Sequence, residues 1–151
     1  MRLFTLSLAI AMSACAGPPN SPAEARGIEA FRDSYVAAFN RCDVDALLAH
    51  YASDFRFISR AAPKAITTLE QLRQYYARAC AQVPPPKATL LEHRIVDGDT
   101  TGALEGVFQL QQPTSGSSPV TMHGTMVLRK VEDVWRIVVF HSSEVRPLAP
   151  R

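Results

Sequence analysis

The chain has 151 residues, enough for one domain and too few for two. Apolar residues make up 47% and charged residues 20%, an ordinary globular balance that excludes a disordered chain. The net charge is only +2, from 16 Lys and Arg against 14 Asp and Glu, and no run of Lys or Arg reaches three, which argues against nucleic acid as a partner.

Arg2 is the only charge before Glu24, and Leu3 to Met12 is an apolar run the length of a signal segment, too short to span a bilayer. Met12-Ser13-Ala14-Cys15 resembles a bacterial lipobox, with Cys15 as the acylated first residue of the mature protein; Met12 stands where Leu is usual. Cleavage after Ala16, at the small-x-small run Ala14-Cys15-Ala16, is the alternative and gives a soluble secreted product; a retained helix is a third. The lipoprotein reading divides the chain into a signal peptide at 1–14, a tether at 15–23 and a domain at 24–147. It places the protein in the bacterial cell envelope, on the periplasmic face of the outer membrane, touching the membrane through its lipid alone. A soluble periplasmic product is the alternative.

Either export route leaves Cys42 and Cys80 in an oxidising compartment, where one disulfide is expected; the alternative is two unrelated small buried residues. The four His are scattered, with no Cys-x-x-Cys or His-x-x-x-His spacing, so no metal site and no cofactor are expected.

Ser21-Pro22-Ala23-Glu24 predicts a helix start with a capping box, and Ile28, Phe31, Tyr35, Ala38 and Phe39 continue it at helical spacing to about Asn40. Asp43 is the expected cap of a shorter second helix carrying Leu47, Leu48 and Tyr51. Phe55, Phe57 and Ser59 alternate with Arg56, Ile58 and Arg60 as a short strand. Thr68-Leu69-Glu70-Gln71 caps a third helix, which Pro84-Pro85-Pro86 terminates. Period two follows, predicting strands over about 88–96, 100–111, 120–130 and 134–143. Asp97-Gly98-Asp99 and Glu132-Asp133 are turns, and the polar stretch 112–119 is a loop. Helices followed by a meander predict an α+β domain with three helices packed on an antiparallel sheet.

That order resembles the SnoaL-like and nuclear transport factor 2-like superfamily. Two stretches carry the likeness: the helix-to-turn run Tyr35–Leu48 around Phe39-Asn40-Arg41-Cys42-Asp43, and the closing strand Val134-Trp135-Arg136-Ile137-Val138-Val139-Phe140-His141. The superfamily's usual Gly before the Asp is Cys42 here, which fits a disulfide at that corner. The resemblance implies a strongly curved antiparallel sheet wrapped around the helices as a cone-shaped α+β barrel, with a largely apolar pocket at its mouth. It implies a small apolar ligand and a wall that includes Tyr35, Phe57, Ser59, Tyr76, Phe108, His123 and Phe140. It also implies a homodimer through the outer sheet face. The last strand fits that dimer, with Val134, Val138 and Phe140 on one face and Trp135, Ile137 and Val139 on the other.

Ketosteroid isomerases, which share the fold, use an Asp base with a Tyr and a protonated Asp. Tyr35 falls at the Tyr position, Ser59 at the base position and His123 near the protonated acid. A neutral hydroxyl takes no carbon-bound proton, so that mechanism is not expected. His123, His141 and Tyr35 are the remaining catalytic candidates. The facing of His123 is open: if the Met122/Met126 face of its strand packs, His123 is solvated, and otherwise it enters the pocket. Three readings follow: a ligand binder, a cofactor-independent isomerase, cyclase, dehydratase or hydrolase acting on a hydrophobic substrate, and a dimeric interaction module.

Overall fold

The computed structural model describes residues 27–111 and 118–145. The signal segment, the Cys15 site, the tether and the capping box at Ser21 lie outside the described residues. Helix α1 spans Ile28–Arg41 and follows an extended Gly27. Ile28, Phe31, Tyr35 and Ala38 are its buried stripe, at the spacing that puts side chains on one helix face. The helix ends where Cys42 adopts a left-handed φ of 56°. Cys42 N–H then donates to Phe39 C=O and Asp43 N–H to Ala38 C=O, each at 3.0 Å. This pair of bonds satisfies the last carbonyls of the helix, at a left-handed position where Gly is favoured in general. Asp43 Oδ1 accepts from Ala46 N–H at 3.1 Å and starts α2, Val44–Ala49.

Strand β1 is Tyr51–Ser59. Tyr51 therefore opens a strand rather than closing the second helix: the carbonyl of His50 already accepts from Ile137 N–H at 2.8 Å, and Tyr51 pairs with Ile137. Helix α3, Leu69–Cys80, begins at the expected Thr68 cap. Thr68 Oγ1 accepts from Gln71 N–H at 3.3 Å, and the Gln71 side chain reaches back to Thr67 N–H at 3.4 Å. The three helices are not one N-terminal block, since β1 separates α2 from α3. Cys80, at the end of α3, is disulfide-bonded to Cys42 with a Cα–Cα distance of 5.6 Å.

Strands β2 (Lys87–Val96), β3 (Thr101–Gln111), β4 (Val120–Val131) and β5 (Val134–Glu144) form a meander within one five-stranded sheet of order β1-β5-β4-β3-β2. The expected all-antiparallel sheet is corrected at one edge: β1 lies parallel to β5. Parallel neighbours need a long connection, and here the rest of the domain supplies it. Between β4 and β5, Glu132 and Asp133 both have positive φ, at 51° and 61°, the backbone that a two-residue hairpin demands.

A second correction concerns β5. Leu128 pairs with Ile137, but Val127 pairs with Val139, so Val138 is an extra residue that bulges out of the ladder. The bulge shifts the alternation by one. Trp135 and Ile137 face inward before it, and Phe140 and Ser142 face inward after it. The strand thus carries one interrupted apolar face rather than two complete ones. A similar shift between Leu90 and Glu92 leaves Leu91 half exposed in β2.

The core is dense at one end, where Ile28, Phe31, Leu47, Leu128 and Ile137 are each fully buried and Trp135 nearly so. Gly102 is part of that end: a Cβ there would meet Ile28 Cδ1 at 2.5 Å and Val96 O at 2.9 Å, so α1 packs directly on the strand backbone.

Candidate functional site

At the other end the concave face of the sheet and the helices enclose a cavity of about 290 Å³. Its floor is the inward row of β3 and β4: Leu104, Gly106, Phe108 and Leu110, then Val120, Met122, Gly124 and Met126. Its sides are Tyr35, Val36 and Phe39 from α1, Tyr75, Tyr76 and Ala79 from α3, and Phe57 and Phe140 from the paired strands β1 and β5. Small residues make the space. At Gly124 a Cβ would stand 2.9 Å from Phe108 Cε1, so the glycine lets that ring lie across the floor. Phe57 and Phe140 stack with centroids 4.8 Å apart and planes inclined by 9°, and the Tyr75 ring meets Phe57 edge-on at 4.9 Å.

The polar lining is sparse and donor-rich. Tyr35 and Tyr76 join Tyr51 in a closed triangle of hydroxyls, with O···O distances of 2.7 Å (Tyr35–Tyr76), 2.8 Å (Tyr51–Tyr76) and 3.2 Å (Tyr35–Tyr51). All three rings are buried. Burial pushes the Tyr35 phenol up to about 12 and holds Tyr51 and Tyr76 well above the ordinary tyrosine value. All three are therefore neutral hydrogen-bonding groups, not bases. Ser59 Oγ bonds the Tyr75 hydroxyl at 3.2 Å, and Ser142, the cross-strand partner of Ser59, also faces the cavity. Gln82, Arg32 and Arg60 also line the cavity. Arg32 is held by Asp33 at 2.7 Å and by the ring of His93 at 2.7 Å, and Arg60 is ion-paired with Glu144. Among the described residues, none that lines the cavity is Asp, Glu, His, Cys or Lys. Nor does any group of three or more His, Cys, Asp or Glu among them converge as a metal site.

The model of the SnoaL-like domain matches residues 28–147. The chain belongs to the SnoaL-like family. No curated protein matches its sequence. Solved structures with the same fold include a ketosteroid isomerase-like protein from Erwinia carotovora, 22% identical, with a TM-score of 0.66 over 82% of this chain and 98% of that one. A nuclear transport factor 2-like protein of unknown function from Pseudomonas putida is 13% identical, with a TM-score of 0.71 over 82% of this chain and 94% of that one. At these identities the likeness is one of fold.

Within this SnoaL-like domain, six of the residues named from sequence line the cavity: Tyr35, Phe57, Ser59, Tyr76, Phe108 and Phe140. His123 does not. Met122 and Met126 occupy the inward row of β4, so the strand's pleat turns His123 out to solvent. His141 is outward for the same reason, lying between the inward Phe140 and Ser142. Neither histidine can reach a ligand inside the cone, and both are corrected as pocket candidates. Ser59 has no base beside it, since its hydroxyl meets only Tyr75 and Ala61 N–H among the described residues.

Sequence reasoning missed Tyr51, Tyr75, Ser142 and the two arginines. The signal for the hydroxyl cluster was present: Tyr35, Tyr51 and Tyr76 are tyrosines on apolar stripes where Phe would pack as well. It also missed the buried pair Ser34 and His50, which lies beneath Tyr35 rather than in the cavity.

Proposed function

We propose that this protein is an exported, lipid-anchored SnoaL-like domain that binds one small, largely apolar molecule in its cone cavity. The cavity carries the reading: it is walled by aromatic and aliphatic side chains, and among the described residues its hydrogen-bonding side chains are neutral hydroxyls, Gln82 and two arginines. A cofactor-independent isomerase, cyclase, dehydratase or hydrolase needs a titratable base beside the substrate, and the two histidines that could have served face outward. Binding is therefore favoured over turnover.

A neutral tricyclic dye such as 1-aminoanthracene is expected to bind with one-to-one stoichiometry and gain fluorescence. Val36→Trp places an indole in the cavity and is expected to abolish that signal while leaving the melting temperature within a few degrees. Undiminished binding by the Val36→Trp variant, or no binding by the unmodified protein, would sink the idea.

The outer sheet face supports a homodimer. Ile58 and Val127 are 37% and 38% exposed there; Ile58 pairs with His141 and Val127 with Val139 on the neighbouring strand β5. Native mass spectrometry on the same samples reads the dimer mass directly, and a monomer at high concentration removes this part of the proposal. The envelope location rests on the apolar run ending at Cys15. Cells grown with radiolabelled palmitate should label the protein, and Cys15→Ser should remove the label; an unlabelled parent protein refutes the anchor.

A further inference from the structure

Four of the polar groups that line the cavity belong to one cluster. Ser59 and Ser142 are register partners on the parallel strands β1 and β5, Arg60 follows Ser59, and Tyr75 bonds Ser59 from α3. Four hydrogen-bond donors thus sit together beside an apolar wall that includes Val36, Phe39, Leu90, Phe108, Met122 and Met126; the other polar lining groups are Tyr35 and Tyr76, which satisfy one another, Arg32 and Gln82. The two cations are not equivalent. Arg32 uses all three guanidinium nitrogens, Nε and one terminal nitrogen on Asp33 and the other on His93. Arg60 engages one terminal nitrogen, with Glu144, and has no other partner among the described residues. Its Nε and second terminal nitrogen form the second edge of a planar fork, the geometry that takes a carboxylate through two parallel bonds.

From this placement we propose that the ligand is an amphipathic monocarboxylate, its acyl or ring body in the apolar chamber and its carboxylate held by Arg60 with help from the Ser59 and Ser142 hydroxyls. The proposal rests on the cavity-binding reading above and specifies its chemistry. Glu144 has a defined part in it. Glu144 neutralises Arg60 in the empty protein, which prevents an unpaired cation at an apolar mouth, and it then shares the guanidinium with the incoming anion. Like charges on one fork repel, so Glu144 sets an upper limit on affinity for acids and leaves affinity for neutral ligands untouched.

Titration of the purified protein at about pH 8 with octanoate, 1-octanol and their longer homologues tests this. Octanoate is expected to bind roughly tenfold more tightly than 1-octanol, the worth of a charge-assisted bond at a half-exposed site. Each added methylene should strengthen both series by roughly fourfold until the chamber is full. Arg60→Gln should remove the preference for the acid without weakening 1-octanol, and Glu144→Gln should raise it severalfold. The opposed signs of two substitutions on one ion pair exclude general loss of structure as the cause. If octanol equals octanoate, or Arg60→Gln leaves the preference intact, the head-group assignment is overturned. If 1-aminoanthracene binds and neither chain series does, the cavity reading survives and the amphiphile falls. If dye and amphiphiles all fail to bind, both readings fall.

Discussion

Replacing both Cys42 and Cys80 by Ser should destabilise the domain by about 4 kcal/mol, the chain-entropy value for a crosslink of this span. The bond joins residues 38 apart in sequence. Its position makes the loss larger in effect than in number. Helix α3 buries only Leu72 and Tyr76 among its twelve residues, so little apolar surface holds it to the sheet. Its C-terminal end is fixed to the α1–α2 corner by the disulfide, and Ala79, the residue before Cys80, lines the cavity, as does Phe39, three residues before Cys42. The double variant should therefore lose dye affinity at temperatures where the fold still survives. Denaturant titration with and without a reductant checks the first effect, and 1-aminoanthracene binding below the unfolding midpoint checks the second. A variant as stable as the parent, or one that binds the dye normally until it unfolds, contradicts this account.

The second large effect is acid sensitivity centred on His50. Its side chain is fully buried between the rings of Phe31 and Tyr35, at centroid distances of 5.1 and 5.5 Å. Its Nδ1–H donates to Ala46 C=O at 2.7 Å, because a carbonyl only accepts, and that leaves Nε2 to accept the Ser34 hydroxyl at 2.9 Å. This arrangement suits the neutral ring. Desolvation lowers its pKa to about 4, with the Arg136 guanidinium adding a small push in the same direction against the Ala46 bond. The unfolded chain takes up the proton near pH 6.5 and the folded one only near pH 4. The stability associated with a neutral His50 is thus complete above about pH 6.5 and is lost as pH falls toward 4, a loss on the order of 3 kcal/mol. His50→Gln should be less stable than the parent at pH 7.5, since the packing between two rings is disturbed, yet should lose less on acidification. The difference between the two pH profiles is the measurement, because carboxylates contribute equally to both. Parallel profiles would exclude His50 as the cause.

Much of the scaffold is readable from local pattern. The four meander strands begin within one residue of where alternation predicts, because their turns carry distinctive residues and each inward row is apolar. The cap at Thr68 and the corner at Cys42-Asp43 are equally local. What escapes depends on partners distant in sequence. Tyr51 fits the apolar stripe of a helix as well as the face of a strand, and only its pairing with Ile137 decides. The bulge at Val138 has no side-chain signature, since a β-branched residue suits either face. Missing that bulge turns Phe140 to the wrong side and makes the last strand read as apolar on both faces. The facing of His123 depends on which row of β4 packs, and both rows offer apolar residues. Ser34 and His50 meet across 16 residues of chain, beyond the reach of any periodicity. Of the site, the aromatic wall was legible because large apolar rings on inward rows have few other places to go. Of the polar edge only Ser59 was named; Arg60 and Ser142 were not, because that edge forms only when two parallel strands come side by side.

The bulge at Val138 also divides labour along the chain. Before it, β5 supplies Trp135 and Ile137 to the packed end; after it, the same strand supplies Phe140 and Ser142 to the hollow end. Strand β4 is split at the same level, with Leu128 in solid core and Met126, Met122 and Val120 around empty space. A substitution in the hollow half changes the shape of a space that is already open, and one in the packed half opens a void where none existed. Residues on the far side of the bulge can therefore vary and reshape the hollow, while the near side keeps the chain folded.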